Sequence, residues 1–107
     1  MNLQSLFCWK DRLEQRKDLV PLLSGKSIVI HFRHQEGVAF VHIDQGKCHI
    51  NTEQYQTVHV TIEAEPSLLE ELWDGNHLLL AFPDSVIRRQ GRYKDLLFVE
   101  AVFRLAA

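Results

Sequence analysis

The segment from Ser27 to Glu63 alternates apolar and polar residues in short runs, and this alternation limits the possible folds more than any other feature. Successive residues of a strand point to opposite faces of a sheet, so the runs predict short strands with one apolar and one largely polar face. We predict four strands, with the rest of the chain covering the apolar face as helices. The apolar positions of the four runs are Ile28, Ile30, Phe32, then Ala39, Val41, Ile43, then Cys48, Ile50, then Val58, Val60, Ile62.

Glycine marks the first two turns, at Glu36-Gly37 and Gln45-Gly46. If both pairs are two-residue hairpin loops, Ile30 lies opposite Ile43 and Val41 lies opposite Ile50. The apolar positions then agree across three strands, an agreement that a slip of one residue would destroy. The fourth strand is predicted over Thr57 to Glu63.

The remaining segments predict helices and one further strand. Residues 2–16 form a moderately amphipathic helix, with Leu3, Leu6, Phe7 and Leu13 on one stripe, that is expected to pack loosely. Residues 66–74 form a helix that starts at a proline and stops at a glycine, and residues 77–82 form a short apolar helix. Residues 86–90 suit a short fifth strand. Residues 93–105 are apolar nearly all round, as expected of a helix with protein or ligand on more than one side.

Composition narrows the class of protein. A chain of 107 residues is most simply one globular domain, and a net charge of −2 argues against nucleic acid as a partner. Cys8 and Cys48 have neither a Cys-x-x-Cys spacing nor a secretory signal before them, so we expect free thiols in the cytoplasm. No apolar run approaches the roughly 20 residues of a membrane span. Motifs for a cofactor or for catalysis are not found in the sequence.

The helices carry more apolar surface than one sheet face needs. Three explanations are open at this point: a well-filled core, an interface for a homodimer or for docking on an enzyme, and an apolar ligand held between helices and sheet.

A family resemblance favours the ligand. The segments FVHIDQGK (40–47), VHVTI (58–62) and LLEELWDG (68–75), followed by Ala81-Phe82 and VIRRQG (86–91), resemble the sterol carrier protein type-2 domain. The resemblance implies an α/β domain of the α+β type, with a single mostly antiparallel five-stranded sheet and helices on one face. It also implies a tunnel for fatty-acyl chains, sterols or other lipids, and a carrier role without catalysis or cofactor. Pro83-Asp84-Ser85 stands where the family has a small-Gly-Lys turn.

Candidate ligand contacts follow from this resemblance. The expected apolar lining, each member of which could equally be ordinary core, is Phe32, Val41, Ile43, Leu72, Trp73, Leu79, Phe82, Leu97, Phe98, Val102 and Leu105. Arg88, Arg89 and Arg92, with Lys94, form a cationic cluster that would suit an anionic head group near the mouth of the pocket. A solvated strand edge and turn is the alternative for this cluster.

The polar strand positions suggest a third, more distant function. In the register given above, His31 lies opposite His42 and His42 lies opposite His49, with His59 on the same side in its own strand. Opposed side chains have Cβ atoms about 5 Å apart, near enough for two imidazoles to share a Zn²⁺, Ni²⁺ or Cu²⁺ ion. Asp44 is the nearby carboxylate on that face. A metal site, hydrolytic through a bound water, ranks behind the lipid carrier and the interaction module.

Overall fold

A computed structural model describes residues 3–34, 37–53, 57–74, 82–83 and 85–106. The elements, in chain order, are helix α1 (Gln4–Gln15), a 3₁₀ turn (Lys17–Leu19), helix α2 (Val20–Leu23), strands β1 (Ser27–His34), β2 (Gly37–Asp44), β3 (Lys47–Asn51) and β4 (Val60–Glu63), helix α3 (Pro66–Trp73), strand β5 (Arg88–Gly91) and helix α4 (Tyr93–Leu105). The helix predicted over 77–82 lies, except for Phe82, outside the described residues. Within the described ranges no helix is long and apolar enough to cross a membrane.

The five strands form one sheet in the order β3-β2-β1-β4-β5. The pairs β1/β2, β2/β3 and β4/β5 are antiparallel, and β1/β4 is parallel. The predicted mostly antiparallel five-stranded sheet of an α+β domain is therefore confirmed. β3 and β4 flank the β1/β2 pair, and β4 starts at Val60, three residues later than the alternation predicts.

The register of the first hairpin differs from the predicted one by two residues. Ile30 lies opposite Val41, and Ile28 lies opposite Ile43. Gly37 pairs with His34 as the first residue of β2, so the turn comes one residue earlier in the chain than Glu36-Gly37. A shift of two keeps every side chain on its face, so the division into faces survives although the pairs change. The second hairpin has the predicted register, with Val41 opposite Ile50.

The apolar sheet face and the helices share an aromatic core. The Phe32 ring lies 5.4 Å from the Trp73 ring, edge to face, and 5.8 Å from the Phe103 ring. Phe103 in turn lies 4.9 Å from Trp9. These contacts join β1 to α3, α4 and α1, in the offset and edge-on arrangements that aromatic rings prefer.

Helix α1 packs more tightly than its sequence predicts. Leu6, Trp9 and Leu13 are at most 1% exposed, whereas Phe7 is 48% exposed. The loose packing predicted for this helix is wrong, because Trp9 completes a stripe with spacings of three and four residues between the two leucines. Phe7 lies outside that stripe.

The sheet face turned away from the helices is only partly solvated. Val29 and Phe40 are 5% and 3% exposed there. The His59 ring accepts a hydrogen bond from the Val29 N–H through Nδ1 at 3.0 Å, and the His59 N–H donates to the Val29 carbonyl at 2.9 Å. The last residues of the β3–β4 connection thus bond to β1 directly ahead of β4.

Two arginines of α1 and its C-cap hold the ends of two other helices. Arg12 donates from Nε to the Ala106 carbonyl at 2.9 Å and from Nη2 to the Trp73 carbonyl at 3.2 Å. Arg16 donates from Nη1 to the Leu105 carbonyl at 2.6 Å. Carbonyls at a helix C-terminus have no partner within the helix, and a cation there is favoured by the helix dipole. The guanidinium groups therefore tie α1 to the ends of α3 and α4.

Replacing Arg12 with alanine is expected to lower the free energy of unfolding by about 2 kcal/mol, because two partly buried carbonyls lose a charged donor. Urea denaturation followed by circular dichroism measures this change. Lys17→Ala is the control, because it removes an exposed cation from the turn after α1 and should cost less than about 0.5 kcal/mol. An equal, small loss in both variants would show that the helix ends do not depend on Arg12.

Candidate ligand-binding site

A cavity of about 610 Å³ lies where β1 and β4 end and α3 begins. The chain leaves β4 at Glu63 and enters α3 at Pro66, whose missing N–H costs nothing in a first helical turn. The Glu65 carbonyl accepts from the N–H groups of Leu68 and Leu69 and so holds the start of α3. The lining residues are His34, Glu63, Ala64, Glu65, Pro66, Ser67, Ser85, Val86 and Arg88.

The opposite wall is a turn before β5. The N–H groups of Val86 and Ile87 both donate to the Pro83 carbonyl, at 3.0 and 3.1 Å. Arg89 donates from Nη1 to the carbonyls of Phe82, at 2.8 Å, and of Ile87. The Arg89 side chain thereby fixes the backbone of this turn, while Val86 is left on the cavity surface.

The cavity has charges of both signs at its rim. Glu63 lies 3.8 Å from Arg33 Nε and 4.0 Å from Arg88 Nη1. These pairs are largely exposed, so each contributes at most about 1 kcal/mol. Glu65 adds a second carboxylate to the lining. The rim therefore carries two carboxylates, and one of them, Glu63, is already flanked by two arginines.

The predicted apolar lining is divided between three places. Phe82 and Phe98 are half-buried and pack against the core, whereas Leu97 and Leu105 are exposed, at 42% and 46%. Leu79 lies outside the described residues. The other predicted lining residues are fully buried in the core: Phe32, Val41, Ile43, Leu72, Trp73 and Val102.

Of the predicted apolar residues that the structure describes, none lines this cavity. Its apolar lining is Ala64, Pro66 and Val86, which the sequence analysis missed. The change from strand alternation to helical spacing after Glu63 is a local signal for Ala64 and Pro66. Val86 carries no comparable signal, because it reaches the cavity from another part of the chain.

The three arginines predicted to bind a head group also lie in different places. Arg88 lines the cavity, and it shares with Arg89 a neighbouring depression of about 420 Å³ that Ser85 and Gln90 complete. Arg92 is exposed at the N-cap of α4, outside both linings.

The predicted row of opposed histidines, His31, His42 and His49, is interrupted at its first pair. His31 lies opposite Phe40 and stacks on its ring at 4.3 Å, so the predicted pairing with His42 is wrong. The two-residue change of register is the cause. Burial, together with the nearby charge of Arg33, lowers the pKa of His31. Among the described residues no group of three potential ligands could hold a metal ion.

The second predicted pair of histidines is present. His42 lies opposite His49, with ring centroids 6.2 Å apart, and His42 Nε2 lies 3.1 Å from Ser27 Oγ. Two imidazoles at this spacing suit weak capture of Ni²⁺ or Cu²⁺.

We expect the untagged protein to be weakly retained on an immobilised-nickel column through this pair of imidazoles. His42→Ala and His49→Ala should each lose the retention, because one imidazole alone binds less tightly. His31→Ala is the control and should elute like the wild type. Retention that survives both alanine variants of the pair would contradict this assignment.

The two cysteines differ in exposure. Cys8 is exposed, whereas Cys48 is buried in the core. Burial raises the pKa of the Cys48 thiol to about 12, and the Glu14 carboxylate acts in the same direction. Glu14 also accepts a hydrogen bond from the Cys48 N–H at 3.2 Å, which satisfies an N–H of the edge strand. A neutral buried thiol is a small core residue rather than a nucleophile.

At pH 8 a maleimide reagent should label one thiol per native chain and two per chain in urea. Cys8→Ser is expected to abolish the native labelling, and Cys48→Ser is expected to leave it intact. Mass spectrometry of the labelled protein counts the adducts. Rapid native labelling of the Cys8→Ser variant would show that Cys48 is accessible.

The fold has counterparts among solved structures. The UbiJ-SCP2 ubiquinone synthesis protein is 17% identical, with a TM-score of 0.70 over 99% of this chain and 95% of that chain. Sterol carrier protein 2 from Yarrowia lipolytica, in its apo form, is 12% identical, with a TM-score of 0.63 over 94% of this chain and 87% of that chain. The chain has the sterol carrier protein 2 fold. The resemblance drawn from the sequence is thereby confirmed at the level of fold.

The sterol carrier protein 2 fold also occurs within an enzyme. The stereoselective inverting sec-alkylsulfatase Pisa1 from Pseudomonas sp. gives a TM-score of 0.62 at 11% identity, over 78% of this chain but only 14% of the sulfatase chain. Comparison with protein-family models and with curated proteins gives no match.

Proposed function

We propose that this domain binds a fatty-acyl chain or another apolar ligand between its helices and the apolar sheet face, and carries it without chemical change. The observation that carries the proposal is the fold, which matches sterol carrier protein 2 over 94% of the chain and the UbiJ-SCP2 protein over 99%. Matches of this extent include both the sheet and the helices that cover it.

The cavity beside α3 supports the same function. Its volume of about 610 Å³ falls within the roughly 300–1,000 Å³ of small-molecule pockets. Ala64 belongs both to its lining and to the buried core, so one wall of the cavity borders the apolar interior. Of the described residues that were predicted to line the ligand site, Phe82 and Phe98 are half-buried and pack against that core.

The energetics of such binding suit a carrier. Burying one methylene is worth about 0.8 kcal/mol, so ten methylenes give roughly 8 kcal/mol before the costs of association. Those costs leave an affinity on the order of micromolar to millimolar. A protein that has to release its ligand needs no more than this.

The rim charges refine the ligand class. Glu63 and Glu65 stand at the rim, and the neighbouring Arg33 and Arg88 are already paired with Glu63, so a ligand carboxylate would gain little attraction there. We therefore favour a ligand with a neutral polar end, and a long-chain alcohol should compete better than the fatty acid of equal length.

The test combines ligand detection with a blocked cavity. Protein purified from cells is extracted with organic solvent and analysed for stoichiometric lipid by mass spectrometry, and displacement of a fluorescent fatty acid is titrated with hexadecanol and with palmitate. Ser67→Trp places a large ring in the cavity lining and should weaken displacement at least tenfold. Ser24→Trp is the matched control, at an exposed serine outside the lining.

Light scattering on the same samples separates the remaining outcomes. A lipid-free monomer that binds no fluorescent fatty acid would overturn the carrier proposal. A lipid-free dimer would favour an interaction module that uses the apolar helices as its interface. Equal weakening in both tryptophan variants would place the ligand elsewhere in the domain.

A further inference from the structure

Two tryptophan side chains of the helices bring hydrogen-bond donors into the buried core. Trp9 of α1 and Trp73 of α3 are fully buried. Among the described residues, neither indole Nε1 has a hydrogen-bond partner. No polar or charged residue within the described ranges is buried, so the core around the two indoles is apolar.

An unpaired donor of this kind is unfavourable in the interior of a protein. The N–H group of a buried tryptophan usually has a partner, and a donor without one loses its hydration with nothing in return. Trp73 contacts the Phe32 ring edge to face, and Trp9 contacts the Phe103 ring at a tilt. An N–H group directed at a ring gains less than one bonded to an oxygen atom. Packing alone therefore does not explain a donor at either position.

The two tryptophans lie where α1, α3 and α4 meet. Arg12, one turn after Trp9 on α1, donates to the carbonyl of Trp73, the last residue of α3. Phe103, in the last turn of α4, contacts Trp9, and its ring lies 5.8 Å from the ring of Phe32. Both N–H groups thus belong to one aromatic cluster between the helices and the sheet.

Helix α3 connects this cluster with the cavity. Pro66 and Ser67, at the start of α3, line the cavity, and Trp73 ends the helix. Eight helical residues span about 12 Å, which is less than the length of a long acyl chain. Leu69 and Leu72 are buried between the two ends. A ligand that lies along the buried side of α3 would therefore cross apolar surface and reach Trp73.

We propose that the indole N–H groups of Trp9 and Trp73 bind an uncharged carbonyl oxygen of the ligand, an inference that rests on the proposed lipid-carrying function. An indole N–H can only donate, and a carbonyl oxygen has two lone pairs to accept with. A hydrocarbon offers these donors nothing. A carboxylate would have to bury its charge, which two neutral donors do not offset. The preferred ligand is a long-chain ketone or ester.

The experiment compares methyl dodecyl ketone with tetradecane, which has the same number of carbon atoms and no acceptor. The chain has two tryptophans, so the proton–nitrogen correlation spectrum of the delipidated protein contains two indole signals. Trp9→Phe and Trp73→Phe each remove one signal and so assign both. The ketone should move both signals downfield, because an N–H bonded to oxygen is deshielded, and tetradecane should not.

Displacement of a fluorescent fatty acid measures the same preference as an affinity. The wild type should bind the ketone at least fivefold more tightly than tetradecane. Trp9→Phe and Trp73→Phe should each lower this ratio, and the double variant should bring it close to one. Phe103→Leu is the control, because it removes a ring of the same cluster without removing a donor and should keep the ratio. Lost packing that weakens both compounds equally leaves the ratio unchanged.

The wild-type protein alone can overturn the proposal, even if a variant does not fold. Indole signals that the ketone does not move, or equal affinity for the two compounds, would contradict it. So would a fivefold ratio that survives in a folded double variant. If both compounds displace the fluorescent fatty acid equally well, the carrier function stands and only the role of the indoles fails. If the wild type binds no fluorescent fatty acid and neither compound moves a signal, both proposals fail.

Discussion

The stacking of helices on the sheet depends on one side chain of the central strand. Phe32 is fully buried and contacts Trp73 of α3 and Phe103 of α4, and Phe103 contacts Trp9 of α1. Helices α1, α3 and α4 are therefore each joined to β1 through at most one intermediate ring. Arg12 adds a polar link on the outside of this cluster, where it donates to the ends of α3 and α4. The helices cannot shift separately without breaking one of these contacts.

The faces of the sheet could be predicted because side-chain direction in a strand has a period of two. Any even error in register keeps Ile30 and Val41 on the same face, so this prediction was insensitive to the true turn. The exact pairs depend on the position of the turn. The prediction placed Gly37 in the turn, whereas it belongs to β2. That error of two residues separated His31 from His42 and removed the basis for a three-histidine site. The second hairpin, where Gly46 stands in the turn, was predicted in full.

The candidate site was less accessible to sequence reasoning because its two walls are distant in the chain. Ala64 and Pro66 follow β4, whereas Val86 and Arg88 come about twenty residues later. Their proximity depends on the antiparallel pairing of Glu63 with Arg88 in the β4/β5 ladder, which no local pattern specifies. The roles of the three arginines were equally hard to predict from the sequence. One arginine lines the cavity, Arg89 holds backbone carbonyls, and Arg92 lies at the start of α4, although the three look equivalent in the sequence.

Helix α4 shows why the role of an apolar helix cannot be inferred from its sequence without a structure. Its residues are apolar nearly all round, which fits a core helix, a ligand wall or an interface equally well. The buried stripe assigns one side to the core, and the opposite side is left to solvent with three large apolar residues and two cations. β5 connects this helix to the cavity, since Arg88 begins the strand at the cavity and Gly91 ends it just before Arg92 and Tyr93. Four strand residues span only about 13 Å, so the N-terminal end of this exposed side lies close to the cavity.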